Sequence, residues 1–373
     1  MTATPSVRIR DVAVFLKGKK PSITLDTPSD GALPYVLIEG FGGKYKTYTN
    51  DPACVRCLRS DTIIVADGAN TGLVSTNHDG YLGSTLGAVR PDPAKVNPRY
   101  LFYFVQGNFS TLNTRTRGAA VPHLEREMLL DLEFALPALS KQEWIVRILD
   151  EAEALRRLRG EADGRTVHLE AALFQEMFGD PQDAWPKDKF SNVGSLDRGR
   201  SQHRPRDEPS LFGGSYPFIQ TGDVANSSGH ITVFTQTYSE RGLAQSRLWP
   251  AGTLCITIAA NIARTGVLAF DACFPDSVVG FIPGDRVAVE YVQAWLQTIQ
   301  KALEDDAPQA AQKNINLKTL RELDLFVPPQ ELQRAFATRV AEIRQLEATQ
   351  AASRQRLDDL FQSLLHRAFQ GEL

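Results

Sequence analysis

The densest group of residues that could take part in binding chemistry is a basic stretch in the second half of the chain. An arginine guanidinium is a planar fork that can bridge guanine O6 and N7 or hold a phosphate, and a glutamine amide can pair with adenine through two hydrogen bonds. The acidic residues at 207 and 208 could instead neutralise the stretch internally, which would leave a solvated loop. We favour nucleic-acid contact for the stretch, whose candidate residues are Arg198, Arg200, Gln202, His203, Arg204 and Arg206.

A second group of candidates lies in glycine-rich and basic loops. In the loop GFGGKYKTYT (40–49), the glycines let the backbone approach a ligand, and Lys44, Tyr45 and Lys46 alternate cations with an aromatic ring. A solvated hairpin is the alternative interpretation of this loop. The turn-rich loops 67–72 and 260–266 occupy the same place in the two halves. The remaining candidates for DNA contact are Lys19, Lys20, Asn70, Thr71, Arg115, Arg117, Asn261, Arg264 and Lys313.

Motifs for catalysis, cofactor binding and metal binding are mostly missing from the sequence. It contains no GxxxxGK[ST] phosphate loop and no FxGxG-type loop after a strand, so we expect neither nucleotide nor S-adenosylmethionine binding by this chain. The run 97–100 (NPRY) differs from the Asn-Pro-Pro-Tyr of adenine amino-methyltransferases in its third residue, and we interpret it as a helix start. Cys54 and Cys57 have zinc-like spacing without a second pair. We predict no catalytic residue, no cofactor site and no metal site.

Composition and charge limit the classes of protein to be considered. The chain has 373 residues, of which 42% are hydrophobic and 23% charged, and this leaves room for two cores. Its sequence contains neither a membrane-length apolar run nor a signal-peptide pattern, so we expect a cytoplasmic protein without membrane contact. Four cysteines in so long a chain do not suggest a disulfide scaffold. Because the net charge is −3, any contact with nucleic acid must be local.

The loops must be positioned by two stretches that repeat each other. Residues 136–178 and 327–370 each have a proline near the start, which we place in the first turn of a helix because its missing N–H would have no helical partner there. Both stretches run through about forty charged and Ala/Leu-rich residues and end near a Leu-Phe-Gln block. Gly179 and Gly371 stand where a helix C-terminus favours a left-handed residue. Before each helix, an alternating apolar pattern predicts a strand that leads into it. The pattern repeats at a constant offset of 191, in Leu129, Leu132, Phe134 and Leu136 and in Leu320, Leu323, Leu325 and Val327.

The heptad seams of both helices are interrupted. Gly160 and Gly164 break the apolar seam of the first helix, and Glu347, Gln350 and Arg354 break that of the second. We therefore predict that the two helices pack against each other antiparallel as a coiled coil, although a helical hairpin covering one core is an alternative.

The predicted fold is α+β with a pseudo-twofold internal repeat. Its parts are globular residues 1–136, helical residues 137–180, globular residues 187–327 and helical residues 328–373.

The repeated helices carry a resemblance to a known family. LPALSKQEWIVRILDEAEALR with LFQEMFGDP, and VPPQELQRAFATRVAEIRQLE with LFQSLLHRAFQGEL, resemble the two conserved helical regions of the specificity (S) subunit of type I restriction-modification systems. GRSQHRPRDEPSLFGGSYPFIQTGDV is similar to the opening of one of that family's target-recognition domains. The resemblance covers the whole chain and the order of its parts.

The resemblance implies a non-catalytic subunit that binds double-stranded DNA, two methyltransferase (M) subunits and two restriction (R) subunits. S-adenosylmethionine would be held by the M subunits, and ATP and Mg by the R subunits. Residues 1–136 and 187–327 would be target-recognition domains that each read half of a bipartite site, and the helices would serve as spacer and docking surface. About 30 helical residues span about 45 Å, more than the roughly 34 Å of one DNA turn. The alternatives are a protein-binding scaffold, a degenerate specificity subunit or an enzyme in its own right.

Overall fold

The computed structural model describes residues 4–29, 31–114, 123–166, 168–179, 185–259, 261–306 and 314–373. The chain divides into two compact units. Unit 1 combines Met1–Glu161 with Ala351–Leu373, and unit 2 is Ala162–Gln350. Each unit therefore groups one globular part with segments of both helical regions. The domain boundaries predicted from the sequence stay predictions.

Unit 1 is built from two four-stranded sheets and the helices that cover them. Its strands are β1 (Ser6–Arg8), β2 (Ala13–Lys17), β3 (Leu33–Val36), β4 (Tyr48–Thr49), β5 (Arg56–Cys57), β6 (Thr62–Val65), β7 (Val74–Ser75), β8 (Gly80–Leu82), β9 (Leu86–Pro91) and β10 (Glu133–Ala135). Its helices are α1 (Ile9–Val12), α2 (Pro98–Gly107), α3 (Phe109–Thr114), α4 (Arg126–Leu130) and α5 (Leu139–Thr166), the last of which continues into unit 2. The sheets have the orders β2-β9-β6-β7 and β4-β3-β8-β5, and β1 pairs with β10. The sequence NPRY begins α2 as predicted, because the Asn97 side chain accepts hydrogen bonds from the amides of Arg99 and Tyr100.

Unit 2 repeats this plan with a five-stranded sheet. Its strands are β11 (Lys187–Lys189), β12 (Gly194–Arg198), β13 (Phe212–Phe218), β14 (His230–Ile231), β15 (Gln236–Tyr238), β16 (Leu254–Thr257), β17 (Thr265–Leu268), β18 (Val278–Pro283) and β19 (Asp324–Phe326). Its helices are α6 (Leu169–Phe178), α7 (Thr221–Ala225), α8 (Glu240–Ala244), α9 (Val289–Asp306), α10 (Leu317–Arg321) and α11 (Gln330–Gln370), the last of which continues into unit 1. The sheets have the orders β12-β18-β16-β17-β14 and β13-β15, and β11 pairs with β19. The α+β class is confirmed.

A buried glutamine locks the start of the long helix in each unit. In unit 1, Gln142 Oε1 accepts from the Asn97 amide at 2.8 Å and its Nε2 donates to the Pro137 carbonyl at 2.8 Å. In unit 2, the equivalent Gln333 accepts from the Ala288 amide and donates to the carbonyls of Arg286 and Pro328. These bonds satisfy backbone groups that would otherwise be buried without a partner. They also keep both prolines two residues ahead of the helix, so the prediction that the prolines stand in the first turn is wrong.

A buried tyrosine completes the same arrangement in both units. The Tyr100 hydroxyl donates to the Ala135 carbonyl at 2.8 Å, and the Tyr291 hydroxyl donates to the Phe326 carbonyl at 2.9 Å. Each bond ties the first turn of a helix, α2 or α9, to the strand that leads into α5 or α11. We call the glutamine, the tyrosine and their hydrogen bonds in each unit the frame of that unit. The frame repeats at the offset of 191 that the apolar pattern predicted, which confirms the internal repeat.

The two helical regions differ in continuity. The second is one helix of 41 residues, α11. The first comprises α5, described as far as Thr166, and α6, which begins at Leu169 after the turn residue His168. Helix α5 runs through both Gly160 and Gly164, so these glycines do not end the helix. Gly179 and Gly371 have the predicted positive φ values, 54° and 77°, but a ψ of −142° places Gly179 outside the left-handed helical region.

Within each unit, the segments of the two helical regions run antiparallel. In unit 1, Arg156 Nε lies 2.7 Å from Asp358 Oδ1, while Ala135, ahead of α5, packs near Gly371. In unit 2, Thr166 Oγ1 donates to Gln350 Oε1 at 2.9 Å, and the ring of Phe178 packs 5.3 Å from that of Phe336. Later residues of the first region thus meet earlier residues of the second. The antiparallel packing is confirmed within the units, and coiled-coil supercoiling stays a prediction.

Candidate nucleic-acid interface

The arginine stretch of unit 2 is a loop that is pinned to its own domain. It follows β12, and Gln245 Oε1 accepts hydrogen bonds from the amides of Gln202 at 2.6 Å and His203 at 2.9 Å. The Ser246 hydroxyl donates to the Arg200 carbonyl at 2.7 Å. The peptide bond between Arg204 and Pro205 is cis. The hydrogen bonds from Gln245 and Ser246 hold the loop backbone in place, while the side chains of Arg200 and Gln202 stay exposed.

The four arginines have different surroundings. Arg206 Nη2 contacts both carboxylate oxygens of Asp276 at 3.0 and 2.9 Å, so the acid that neutralises it is not the predicted neighbour at 207 or 208. Arg204 Nη1 donates to two carbonyls of its own loop at 2.8 Å. Arg198 and Arg200 are exposed and form no ion pair with any residue in the described ranges. Both side chains are therefore accessible to a phosphate or a base.

In unit 1, Tyr45 anchors the loop that carries Lys44 and Lys46. Its hydroxyl lies 2.8 Å from Nδ1 of His78, whose Nε2 lies 2.7 Å from the Ser75 hydroxyl. His78 is only 3% exposed, and its burial lowers its pKa, while burial raises the pKa of Tyr45. The ring of Tyr45 is half-buried, and the two lysines beside it are exposed. Sequence reasoning missed His78 and Ser75, because neither lies near Tyr45 in the chain.

The loop 67–72 of unit 1 has one exposed candidate side chain and one buried one. Thr71 is buried, and its hydroxyl donates to the Gly68 carbonyl at 2.6 Å, so it shapes the turn. Asn70 is exposed. At the start of the loop, Asp67 binds Lys17 Nζ at 2.6 Å and His123 Nδ1 at 2.7 Å. Burial alone would raise the pKa of Asp67, but the hydrogen bonds from these two residues lower it.

The corresponding loop of unit 2 is closed by Thr257. Its hydroxyl accepts from the Arg264 amide at 3.0 Å and donates to the Asn261 carbonyl. Ala263 has a φ of 56°, in the region that usually favours glycine, and Gly72 of unit 1, with a φ of 93°, stands at offset 191 from it. Asn261 and Arg264 point out from the turn as exposed side chains.

Some of the remaining candidates are among the described residues and others lie outside them. Lys19 and Lys20 are exposed in the turn after β2, and the Lys19 carbonyl accepts from Tyr35 and Cys54. Cys57 is also buried, and burial raises the pKa of its thiol to about 11, which keeps the thiol neutral. Arg115, Arg117 and Lys313 lie outside the described residues. DNA contact by any of the candidates stays a prediction.

Unit 2 also contains a cavity of about 550 Å³ that the sequence did not reveal. Gln220 and Gln236 stand on its wall, and Gln220 Nε2 donates to Gln236 Oε1 at 2.7 Å. Tyr238 and Phe218, which stack at a ring distance of 4.0 Å, also line it. Arg206, from the arginine stretch, lines the same cavity. The cavity therefore joins an amide pair of fixed orientation to the basic loop.

Comparison with solved structures supports the fold. A chain from a study of complex assembly and conformational transition of the type I R-M system aligns over 100% of this chain and 99% of its own length, with a TM-score of 0.66 and 19% identity. The type I restriction-modification system S subunit from M. genitalium aligns over 98% of this chain and 96% of its own, with a TM-score of 0.59 and 13% identity. At these identities the likeness extends to the fold alone.

Comparison with curated sequences supports the family. The type I restriction enzyme EcoBI specificity subunit of Escherichia coli is 23% identical over an alignment of 417 positions, gaps included, which covers 99% of this chain and 80% of that one. The MjaVIII specificity subunit of Methanocaldococcus jannaschii is 30% identical over 153 residues, only 40% of this chain and 36% of that one. The family model described as the type I restriction modification DNA specificity domain matches residues 4–160 and 185–356. The chain therefore belongs to the type I restriction-modification DNA specificity family, as a specificity subunit that contains this domain twice.

Proposed function

We propose that this specificity subunit reads a bipartite site on double-stranded DNA, with unit 1 recognising one half of the site and unit 2 the other. The observation that carries the proposal is that the two units share the same frame but carry different loops. The frame bonds recur at the offset of 191, yet the candidate loops of unit 1 carry lysines and those of unit 2 carry arginines and amides. Because different side chains read different base edges, the two half-sites should differ in sequence.

The charge distribution of the loops supports DNA as the ligand. In unit 1, Lys44 and Lys46 flank an anchored tyrosine, and in unit 2, Arg198 and Arg200 are exposed on a loop that is held by Gln245. A cation on a fixed loop loses little conformational freedom when it binds a phosphate. The net charge of −3 is compatible with this function because the cations are clustered.

The helices would form the spacer and the docking surfaces for two M subunits, and two R subunits would complete the restricting complex. In unit 1, α5 exposes Trp144, Leu155 and Leu158. In unit 2, a cavity of about 480 Å³ between α6 and α11 is lined by Leu169 and Leu346, among other residues. Exposed apolar surface of this kind is typical of sites for protein partners.

In this proposal the chain itself catalyses nothing. Methylation of a base requires a cofactor and an extruded base, which the M subunits would hold together with S-adenosylmethionine. The R subunits would bind ATP and Mg. Among the described residues, no helix is long and apolar enough to cross a membrane. We place the complex in the cytoplasm, where it meets its DNA.

Mapping of adenine methylation across the genome tests the proposal. Cells that express the chain with its M subunit should gain methylation at a single bipartite motif that is missing from cells without the chain. Exchange of residues 187–327 for those of a relative should then change one half of the motif and leave the other. If both proteins are soluble and associated but no motif appears, the chain is a degenerate specificity subunit or a protein scaffold.

A protein-binding scaffold is the second candidate, and the near-neutral charge of the chain favours it. The two functions differ in their dependence on salt. Contacts between cations and phosphates release counterions, so DNA affinity should fall steeply as the salt concentration rises. Weak dependence on salt, with the same affinity for unrelated DNA sequences, would favour the scaffold.

A further inference from the structure

Unit 2 exposes a short apolar segment, residues 232–235, whose sequence is TVFT. Val233 is 77% exposed and Phe234 is 44% exposed. Isolated apolar side chains on a surface need no explanation, but two adjacent ones form a patch. The segment is also held in place. The ring of Phe234 packs edge-on against Phe270 at 5.2 Å, and the Thr235 hydroxyl donates to Asp223 at 3.3 Å.

The segment occupies the place in unit 2 that Lys44 and Lys46 occupy in unit 1. In unit 1, β3 and β4 pair antiparallel with Pro34 opposite Tyr48, and in unit 2, β13 and β15 pair with Pro217 opposite Thr237. A short helical turn follows the first strand in both units, at Ile38–Gly40 and in α7. The connection that leads into β4 carries the lysines, and the connection that leads into β15 carries the apolar segment.

The segment also continues into the candidate DNA-binding surface of its own unit. The next residue, Gln236, lines the 550 Å³ cavity together with Asp207 and with Arg206 of the arginine stretch, which is paired with Asp276. The amide of Gln236 is oriented by Gln220. The apolar segment thus adjoins an oriented amide pair and the loop that also carries Arg200, which forms no ion pair within the described ranges. This continuity favours DNA over a protein as the occupant.

We propose that Val233 and Phe234 recognise the 5-methyl group of a thymine in the major groove, so that the half-site read by unit 2 contains a thymine whose methyl group is needed for binding. The thymine methyl is the one apolar group that a base pair presents in the major groove, and apolar side chains read it by contact. The proposal rests on the proposed function. It adds a base type and two residues that the charged motifs in the sequence did not indicate.

The test uses the complex of this chain with its M subunits and duplexes that carry the motif found by methylation mapping. Each thymine of the half-site read by unit 2 is replaced in turn by uracil, which differs only in lacking the methyl group. We expect at least one replacement to lower the affinity about fourfold, the ratio that corresponds to about 0.8 kcal/mol for one buried methyl group.

Two variants connect this effect to the segment. Val233→Ser and Phe234→Ser should lower the affinity for the thymine duplex to that for the uracil duplex, so that the complex no longer distinguishes the two. Val14→Ser is the matched control, because Val14 is 57% exposed but lies in unit 1. This control should keep the discrimination between thymine and uracil.

The proposal is overturned if the motif has no thymine in this half-site or if every uracil is tolerated. It is also overturned if the variants weaken the binding of M subunits while thymine and uracil are still distinguished, since the segment would then be a protein contact. These results differ from a failure of the proposed function. In that case the unmodified complex would methylate no bipartite motif and would bind all DNA sequences alike, and both proposals would fall.

Discussion

The Tyr45→Phe variant tests whether the unit 1 loop is anchored for DNA binding. The change removes only the hydroxyl that lies 2.8 Å from His78 Nδ1. Because His78 is 3% exposed, no solvent replaces the lost partner. A buried polar group without a partner costs about 1 to 3 kcal/mol, and we expect a loss of this size in the free energy of unfolding of unit 1.

The loss of the anchor should also weaken DNA binding. Lys44 and Lys46 would start from a loosened loop, so binding would also have to restore the order of the loop. That cost is at most about the 1 to 3 kcal/mol by which the anchor holds the loop, and a loss of about 1 kcal/mol corresponds to about a fivefold lower affinity. The loss should concern only the half-site that unit 1 reads.

Two assays and one control decide the matter. Hydrogen exchange measures the opening of residues 40–48, and binding to duplexes altered in one half-site measures the affinity. Tyr48→Phe is the matched control, because the Tyr48 hydroxyl makes only a 3.4 Å contact with the Tyr45 carbonyl. If Tyr45→Phe behaves like Tyr48→Phe in both assays, the anchoring argument is refuted.

Three further predictions concern the histidine, the frame and the lysines. Burial lowers the pKa of His78 below its ordinary value of 6.5. The contribution of His78 to the free energy of unfolding of unit 1 should therefore be complete above about pH 6.5 and be lost as the pH falls through the pKa of the folded state. Thermal unfolding measured from about pH 8 to about pH 5 would show this loss. Gln142→Ala and Gln333→Ala should each lower the free energy of unfolding by about 2 to 4 kcal/mol, because two or three buried hydrogen bonds are lost. Denaturant unfolding measures this loss. An equal loss for Gln355→Ala, a change at an exposed glutamine, would contradict the prediction. Lys46→Ala should weaken binding to all DNA sequences alike and reduce the slope of log affinity against log salt concentration by about 1. An unchanged slope would exclude a phosphate contact by Lys46.

The repeat and the elements next to it could be predicted from the sequence because they rest on local patterns. The apolar alternation before each helix indicated β10 and β19, and Gly179 marked the end of α6. These features depend on residues that are neighbours in the chain. The sequence predicted one helical region over 137–180 and did not indicate that α6 begins separately at Leu169. Gly160 and Gly164 interrupt the apolar seam but lie inside α5, because glycine weakens a helix without ending it when the other residues favour helix.

The environment of the candidate site could be predicted only in part. The basic loops were visible as clusters of charge. The partner of Arg206 is 70 residues away, and that of Tyr45 is 33 residues away. Such contacts depend on the packing of strands that are distant in sequence, and no local pattern records them. The apolar segment 232–235 carries no charge, so the clusters of cations in the sequence did not indicate it.

The frame has a consequence for the evolution of this chain. Its glutamine and tyrosine bonds close within each unit, and none of them involves the loops that carry the DNA-binding candidates. The loops are therefore free to accumulate substitutions without disturbing the start of either long helix. The chain holds two outcomes of that freedom, a lysine loop in one copy and an apolar segment in the other. Recombination between such genes at the frame would give a subunit that still folds and reads a new DNA site.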